Sequence, residues 1–425
     1  LPVKEGMSYV SASLLEPWGC VFASYTQRRR LDPKEGGVMW IIGRSDDATA
    51  YRFSAGLEKP QTIVLTDVPA VIKDLLKYSP AKIVERNAVT PDQYAALVDE
   101  LTEGKGFDDI VVLDPRSAET VSAIAKYITR RGTLNMVGRT ALDGRVPADV
   151  GRLHYDYIAF LGNSGPDIAA SYGEERNRCE LKKNGVALFL GAGGPMGQMH
   201  VQRALEMTDG PAVVIATEMN QSRLDILQQH LAPVAEKNRR KLYLFDASKP
   251  QEELRKLVMD LTDGKRADDV VLCVPAPALA SEAATLMNEN GMLVLFAGMP
   301  NGSLAPLDFS SVYLQNAQYT GTSGLTIQDQ AQVMHKAVSG DLSPDMSLAA
   351  VGGMKTALAG YEALIAGRYP GKIAIFPQLV DMPLMGLDEL KEKYPEIGNK
   401  LGAGNAWTIE AEKKLIETFW SVEEA

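Results

Sequence analysis

The stretch LTEGKGFDDIVVLDP, Leu101 to Pro115, returns 160 residues later as LTDGKRADDVVLCVP, Leu261 to Pro275. Six of its first ten positions are identical and two more are conservative. Downstream, RGTLNMVG ending at Gly138 answers GMLVLFAG ending at Gly298, again 160 apart. HYDYIAFLGNSG, His154 to Gly165, answers YLQNAQYTGTSG, Tyr313 to Gly324, 159 apart. Upstream, Ile42-Gly43 answers Leu190-Gly191 at an offset of 148. Matches that keep one order and nearly one spacing imply a duplicated unit of roughly 130 residues, far larger than a solenoid repeat. A chain of 425 residues is also too long for one ordinary core.

Each copy alternates short β-branched or apolar runs with longer helical patterns. In the second copy the pattern predicts strands at 186–190, 212–216, 241–245, 269–274, 292–297 and 318–321. Helices are expected between them, at 197–207, 221–231 and 251–261. Buried apolar strands separated by helices imply parallel βαβ units. The expected fold class is α/β, two tandem doubly wound parallel-sheet (Rossmann-like) units. The first unit is placed at 38–168 and the second, with a closing segment, at 169–378. The polar stretch from Gly165 to Gly185 joins them, and a charged helical tail at 379–425 carries no functional signal.

Composition excludes several classes. The formal net charge of -10 argues against a general nucleic-acid surface, which needs a basic footprint. No apolar run approaches the roughly 20 residues that span a bilayer, so no membrane partner is expected. Cys20, Cys179 and Cys273 stand far apart with no CxxC pair. That fits a reducing, cytoplasmic setting and argues against a zinc knuckle built from this chain alone. The chain starts at Leu1 rather than Met, and its opening reads as the interior of something longer, so a truncated or processed N-terminus is expected.

The richest chemistry lies in ALFLGAGGPMGQMHVQRALE, Ala187 to Glu206. A strand feeding a helix leaves free backbone N–H groups and partial positive charge at the helix start. A pyrophosphate sits there if no side chain blocks it. The strand is followed by Gly191, Ala192, Gly193, Gly194, Pro195, Met196 and Gly197. The best register takes Ala192, Gly194 and Gly197, with alanine in place of the first glycine. Glu218 ends a second strand 21 residues after Gly197. Its carboxylate would accept from the adenosine ribose hydroxyls and repel a 2′-phosphate, which favours NAD over NADP. Arg223 nearby works against that preference. The plainer alternatives are a tight structural turn and a solvated strand-end acid.

The first copy has the same grammar with the glycines gone. Gly43, Arg44, Ser45, Asp46, Asp47, Ala48 and Thr49 align over Gly191 to Gly197, so two carboxylates fall where a pyrophosphate would lie. Like charges at short range are costly in a partly dry pocket. Asp67, after TIVLT, keeps the ribose position. This copy is expected not to bind a dinucleotide; the alternative has Asp46 and Asp47 capping the helix and binding a cation.

These motifs together resemble the medium-chain, zinc-type alcohol and polyol dehydrogenases. LLEPWGCVFAS (Leu14 to Ser24) is similar to the segment that precedes their cofactor domain. ELKKNGVALFLGAGGPMG is similar to the entry into that domain, and EALIAGRYPGKIAIFP (Glu362 to Pro377) to their closing segment. The GPMG turn with TGTSG resembles the sorbose-1-phosphate reductase-like branch. The resemblance covers most of residues 1–377 and departs from the family in three ways. Only a remnant of the catalytic domain, residues 1–37, remains. None of His154, His200, His230 or His335 sits in a Gly-His-Glu zinc motif. The cofactor domain is duplicated.

The resemblance implies hydride transfer between NAD(H) and a polyol, sugar alcohol or sugar phosphate, with zinc only if the missing catalytic domain is present. It puts the nicotinamide near Ala297-Gly298 and Thr322-Ser323, the adenosine beside Val274-Pro275, and Lys372 near the pyrophosphate. Glu16 matches the acid of the family's EP segment, at or near the metal; the plain reading is a helix-entry acid. Cys20 reads as a small packing residue rather than a ligand, His154 as packing or hydrogen bonding at a strand start rather than catalysis, and His200 as a surface residue of the fingerprint helix, with reach to the phosphates as the alternative. Met196, Met199 and Met207 read as helix packing. No catalytic residue is assigned. Family cofactor domains pair edge to edge, so a homo-oligomer, or an internal pseudo-dimer through AFLGNSG and QYTGTSG, is expected. The leading reading is a cofactor-binding fragment of an oxidoreductase with a small-molecule substrate. The rival is a non-catalytic nucleotide sensor or scaffold.

Overall fold

The computed structural model describes residues 3–420. Its strands, in chain order, are β1 (Val38–Ile42), β2 (Thr62–Thr66), β3 (Lys82–Glu85), β4 (Phe107–Leu113), β5 (Ile128–Val137), β6 (Val146–Asp149) and β7 (Ala159–Asn163). They continue as β8 (Val186–Leu190), β9 (Val213–Glu218), β10 (Lys241–Asp246), β11 (Ala267–Leu272), β12 (Met287–Leu295), β13 (Leu304–Leu307) and β14 (Gln318–Gly321). Last come β15 (Leu348–Gly353), β16 (Lys372–Phe376) and β17 (Met385–Gly386).

Two six-stranded sheets result, ordered β3-β2-β1-β4-β5-β7 and β10-β9-β8-β11-β12-β14. Strands within them pair in parallel, as in β1 on β2 (Val38 opposite Thr62) and β12 on β14 (Met292 opposite Gln318). The fold is α/β with two parallel sheets of the same strand order. The segments repeated in sequence fall on corresponding strands: β4 and β11, β5 and β12, β7 and β14.

The chain divides into two compact bodies. A terminal body comprises residues 1–25, 181–256 and 324–425, and a central body comprises 26–180 and 257–323. In the central body the first sheet buries Met39, Ile41, Ile63, Leu65, Val111 and Leu113 in one cluster with Ile72 and Tyr51. The continuous apolar strands are what two covered sheet faces require. In the terminal body, the helix Pro195–Glu206 follows β8, and the helix Gln221–Lys237 follows β9. The tail there contains the helix Ile409–Phe419, whose buried Glu412 accepts from the backbone N–H of Tyr9 and Val10 at 2.6 and 3.0 Å. No helix among the described residues is long and apolar enough to cross a membrane.

Two local expectations are corrected. His154 lies in a short helix, Val150–Tyr155, capped by Asp149, rather than at a strand start. In the first copy no helix follows β1: residues 43–61 run as turns and coil, so Asp46 and Asp47 cap nothing. The side chains there bond locally instead. Asp47 accepts from Thr49 N–H at 2.9 Å and from the Tyr51 hydroxyl at 2.6 Å, and Arg44 pairs with Asp46 at 3.1 Å. Short polar side chains that capture nearby backbone groups compete with helix formation.

Candidate functional site: a glycine turn before a helix

The turn after β8 belongs to the terminal body. Gly191 has φ +74°, in the left-handed region that glycine enters without strain. Ala192 is buried and donates its N–H to Thr217 O at 2.8 Å. Gly197 packs against that turn: a Cβ on it would lie 2.8 Å from Ala192 Cα and 2.8 Å from Gly191 O. Alanine at 192 is therefore accommodated, whereas a side chain at 197 would collide with backbone.

Gly194 is the N-cap of the helix Pro195–Glu206 and supplies no capping side chain. Pro195 and Met196 follow it into the first turn, which contains no acid. Nothing lies within 4 Å of a Cβ built on Gly194. The helix start is thus open, uncapped and without opposing charge, which suits an anion.

Gly193 answers to Glu218. A Cβ on Gly193 would strike the Glu218 carboxylate, so the extra glycine leaves the room this acid fills. Glu218 Oε1 accepts from Met219 N–H at 2.8 Å and Asn220 N–H at 3.0 Å. Its Oε2 lies 3.9 Å from Arg223 Nη1, so the carboxylate draws the arginine toward itself. Gln198 ties the turn to the closing segment, donating to Gly193 O at 3.0 Å and Pro370 O at 2.8 Å.

Lys372 is half-buried, and burial lowers its pKa while Glu16 and Cys20 draw it upward. The terminal body thus brings Glu16, Cys20 and Lys372 into one electrostatic neighbourhood. Glu16 is exposed; the Cys20 thiol donates to its Oε1 at 3.5 Å. Burial first, and then Glu16, raise the Cys20 pKa to about 11, which keeps a protonated thiol rather than a thiolate ligand. Among the described residues no group of three or more His, Cys, Asp or Glu side chains is placed to hold a metal ion. These donors do not fit zinc.

His200 is corrected from a surface residue to a fully buried one, with the Tyr25 hydroxyl 2.6 Å from its Nδ1 and the two rings edge-to-face. Met199 is buried as packing, and Met207 takes Arg203 Nη1 on its sulfur at 3.1 Å. Burial, with the Arg203 charge adding to it, lowers the His200 pKa to about 3. A neutral histidine of this kind stabilises the fold fully above its unfolded value, ordinarily near 6.5, and the stability is lost as pH falls toward 3. Urea melts at pH 7.5 and 5.0 are expected to differ by about 2 kcal/mol through this group alone. His154 and His230, also lowered by burial, add to the same slope. His200→Gln should remove its share; an unchanged pH dependence in that variant would refute the assignment.

The remaining expected cofactor residues belong to the central body. Val274 and Pro275 follow the carboxyl end of β11, Ala297 and Gly298 that of β12, and Thr322 and Ser323 that of β14. Thr322 is buried and Gly298 exposed.

The first copy's turn, also in the central body, is closed by charge. Asp114 accepts from Arg44 at 3.2 Å and from Arg116 at 2.9 Å, beside the Arg44–Asp46 pair. These residues line a pocket of about 200 Å³ with Asp47, Tyr51 and Gly138. Asp67 at the ribose position is occupied by Ala88 N–H at 3.0 Å.

Sequence reasoning missed an arginine in each linker. Arg30 stands eight residues before Val38, and Arg178 eight before Val186. Arg30 binds both oxygens of buried Asp109 at 3.2 Å, and Arg178 binds buried Asp269 at 2.5 Å. The signal was available: AASY at 169–172 and FASY at 22–25 precede the two arginines, so the similarity begins upstream of the first strands.

No protein-family model matches the chain. It is 24% identical over 368 residues to mannitol-1-phosphate 5-dehydrogenase of Aliivibrio fischeri, across 81% of this chain and 86% of that one. It is 28% identical over 150 residues to L-sorbose 1-phosphate reductase of Klebsiella pneumoniae, across 35% of each. Solved structures it resembles include an alcohol dehydrogenase of Thermotoga maritima (21% identity, TM-score 0.37, 47% of this chain and 51% of that one). Another is 2R,3R-butanediol dehydrogenase of Bacillus subtilis (20% identity, TM-score 0.38, 46% and 52%). The chain spans about half the length of these two structures. It is thus similar in sequence, over four-fifths of its length, to a sugar-alcohol-phosphate dehydrogenase.

Proposed function

We propose that the chain is an oxidoreductase that binds a nicotinamide dinucleotide with its phosphates at the turn Gly191–Gly197. The observation that carries this reading is the open helix start at Gly194, with free N–H groups, no capping side chain and no acid in the first turn. The names of the sequence relatives favour a polyol or sugar phosphate as substrate. Bound there, the dinucleotide would supply hydride chemistry; Gly194 would let it approach, and Glu218, in the room left by Gly193, would meet the ribose.

NAD is the favoured form. A 2′-phosphate about 4 Å from the Glu218 carboxylate would meet repulsion of about 1 kcal/mol per unit charge in water and about 4 kcal/mol at an effective dielectric of 20. Titrating the chain with NADH and NADPH, and following nicotinamide fluorescence, should give saturable binding with at least about tenfold preference for NADH. Glu218→Ala should narrow that preference. No saturable binding of either would overturn the reading.

We also infer that the first copy acts as a pseudo-subunit rather than a second cofactor site. No helix follows its turn, and ion pairs line it. Within the central body β13 pairs antiparallel with β6, Pro306 opposite Pro147, and these prolines are 159 apart, the spacing of the repeat. A residue opposite its own equivalent is what a two-fold interface generates. A further pair supports the symmetry: a Cβ on Gly162 would lie 2.7 Å from Tyr313 Cβ, and one on Gly321 3.1 Å from His154 Cα. β7 and β14 lie close together without joining into one sheet, and the hydrogen-bonded strand pairing between the two halves of the repeat is that of β6 with β13.

A further inference from the structure

The charges that close the first copy's turn to a dinucleotide still leave a pocket of about 200 Å³, and every residue that lines it belongs to the central body. Arg44, Asp46 and Asp47 follow β1, Asp114 and Arg116 follow β4, and Arg139 follows β5. The pocket therefore lies outside the carboxyl ends of these strands. In the sheet, β2 and β3 stand on one side of β1, and β4, β5 and β7 on the other. The strand order thus reverses between β1 and β4. Open α/β sheets take their ligands in the crevice at such a reversal.

The loops around the pocket are tied to one another. Asp143 donates its N–H to Arg116 O at 3.0 Å, and a Cβ on Gly138 would lie 2.7 Å from Pro115 Cδ. Arg139 Nε donates to Ser164 O at 3.2 Å. The acids are engaged. Asp114 accepts from Arg116 Nε and Nη2, at 3.0 and 2.9 Å, and from Arg44 Nη1 at 3.2 Å. Asp47 accepts from Thr49 and Tyr51, and exposed Asp46 accepts from Arg44 Nε. The bases keep donors to spare. Among the described residues, Arg44 Nη2, Arg116 Nη1 and both Nη atoms of Arg139 have no protein acceptor. Three guanidiniums held at one crevice, each with unspent N–H groups, suit an anion.

The repeat supplies a comparison. At the offset of 148, Arg44 corresponds to Ala192. At the offset of 160, Asp114, Arg116 and Arg139 correspond to Val274, Ala276 and Met299. The second copy builds the same strand order with none of these charges. The fold therefore does not require the three arginines, nor the acid that holds two of them. They are particular to this pocket.

We propose that the first copy binds a small phosphate dianion, a short phosphate monoester or free phosphate, between Arg44, Arg116 and Arg139. A guanidinium presents its N–H groups as a planar fork that matches phosphate oxygens. Three forks exceed the two oxygens of a carboxylate and match the three terminal oxygens of a monoester. The volume falls below the roughly 300–1,000 Å³ of sites for drug-sized ligands, which excludes a dinucleotide and leaves room for a phosphate on a short carbon chain. Asp46 is the one opposing charge that gives way, because its pair with Arg44 is exposed on both sides and such pairs are weak. The anion takes Arg44 Nε in its place. This site does not rest on the cofactor reading above.

The test is calorimetric titration of the full chain with glycerol 3-phosphate and with inorganic phosphate, at low salt and about pH 8, where both are dianions. Saturable binding is expected, and the tighter of the two identifies the source, monoester or free phosphate. Arg139→Met should weaken binding at least about tenfold. Asp46→Asn should tighten it about threefold, a gain that a misfolded variant cannot produce. Gly194→Asp, which alters the other anion-binding turn, should leave it within about twofold. Three results would each overturn the proposal. One is no saturable binding of either probe up to about 10 mM. Another is binding that is lost in Gly194→Asp but kept in Arg139→Met, which moves the phosphate to the glycine turn. The third is weaker binding in Asp46→Asn, which makes the acid a ligand group rather than a competitor.

Discussion

Gly194→Asp is expected to abolish dinucleotide binding while leaving the fold as stable as the parent. The position is the N-cap of the helix Pro195–Glu206, with extended backbone at φ -75° and ψ 161° that any residue adopts. A side chain there meets nothing within 4 Å. Aspartate is among the preferred N-cap residues, so it should bond the free N–H groups and change helix stability by no more than about a few tenths of a kcal/mol relative to glycine. Those same N–H groups are then lost to a phosphate. A new negative charge about 4 Å from an anion costs about 4 kcal/mol at an effective dielectric of 20. The expected loss of affinity is at least about 100-fold. In the aligned earlier stretch, Asp46 and Asp47 stand over the positions of Gly194 and Pro195. Gly197→Asp serves as the contrast, because its Cβ would lie 2.8 Å from backbone atoms of the turn. That variant should lose binding and also melt at a lower temperature. NADH titration beside thermal melting separates the two. Unimpaired binding in Gly194→Asp would move the phosphate site elsewhere.

Much of this arrangement was legible because strand chemistry is local. VALFL and QYTG give β8 and β14 at the expected limits, since buried parallel strands are short apolar runs bounded by turn residues. The helix Gln221–Lys237 outran its expected end at 231, because Pro233 lies inside it without ending it and Leu231, Val234 and Ala235 are buried. His200 was misplaced for a different reason. A lone polar residue in a helix says nothing of the face it occupies until its partner, here Tyr25 some 175 residues away in sequence, is known. The missing helix after β1 was hidden by alignment, which transfers elements from the intact copy. Residues 44–51 bond to one another instead, and a sequence comparison cannot see those bonds. The packing of His154 and Tyr155 against Gly298 was illegible for the same reason as that of His200: Gly298 lies 143 positions from Tyr155 in the chain.

Arg30→Met is expected to destabilise the chain by about 3–5 kcal/mol, the range for removing one partner of a buried ion pair. Asp109 is 1% exposed, and Arg30 reaches both of its oxygens. The carboxylate also accepts from Thr133 Oγ1 at 2.6 Å, Lys34 N–H at 2.9 Å and the Tyr172 hydroxyl at 3.2 Å. Removing the guanidinium leaves three neutral donors around a desolvated charge. They satisfy lone pairs without offsetting the cost of burying that charge. The pair also joins parts distant in sequence: the linker before β1, the start of β4 and the segment after β7. Loss of that anchor should be felt across the central body. Tyr172→Phe removes only one neutral donor and should cost about 1 kcal/mol. Arg30→Met with Asp109→Leu should recover part of the loss, because the unpaired charge leaves with the second change. Urea unfolding at constant slope would measure all three. A cost below about 1 kcal/mol for Arg30→Met would place this pair with surface ion pairs, and the buried position of Asp109 would then need another explanation.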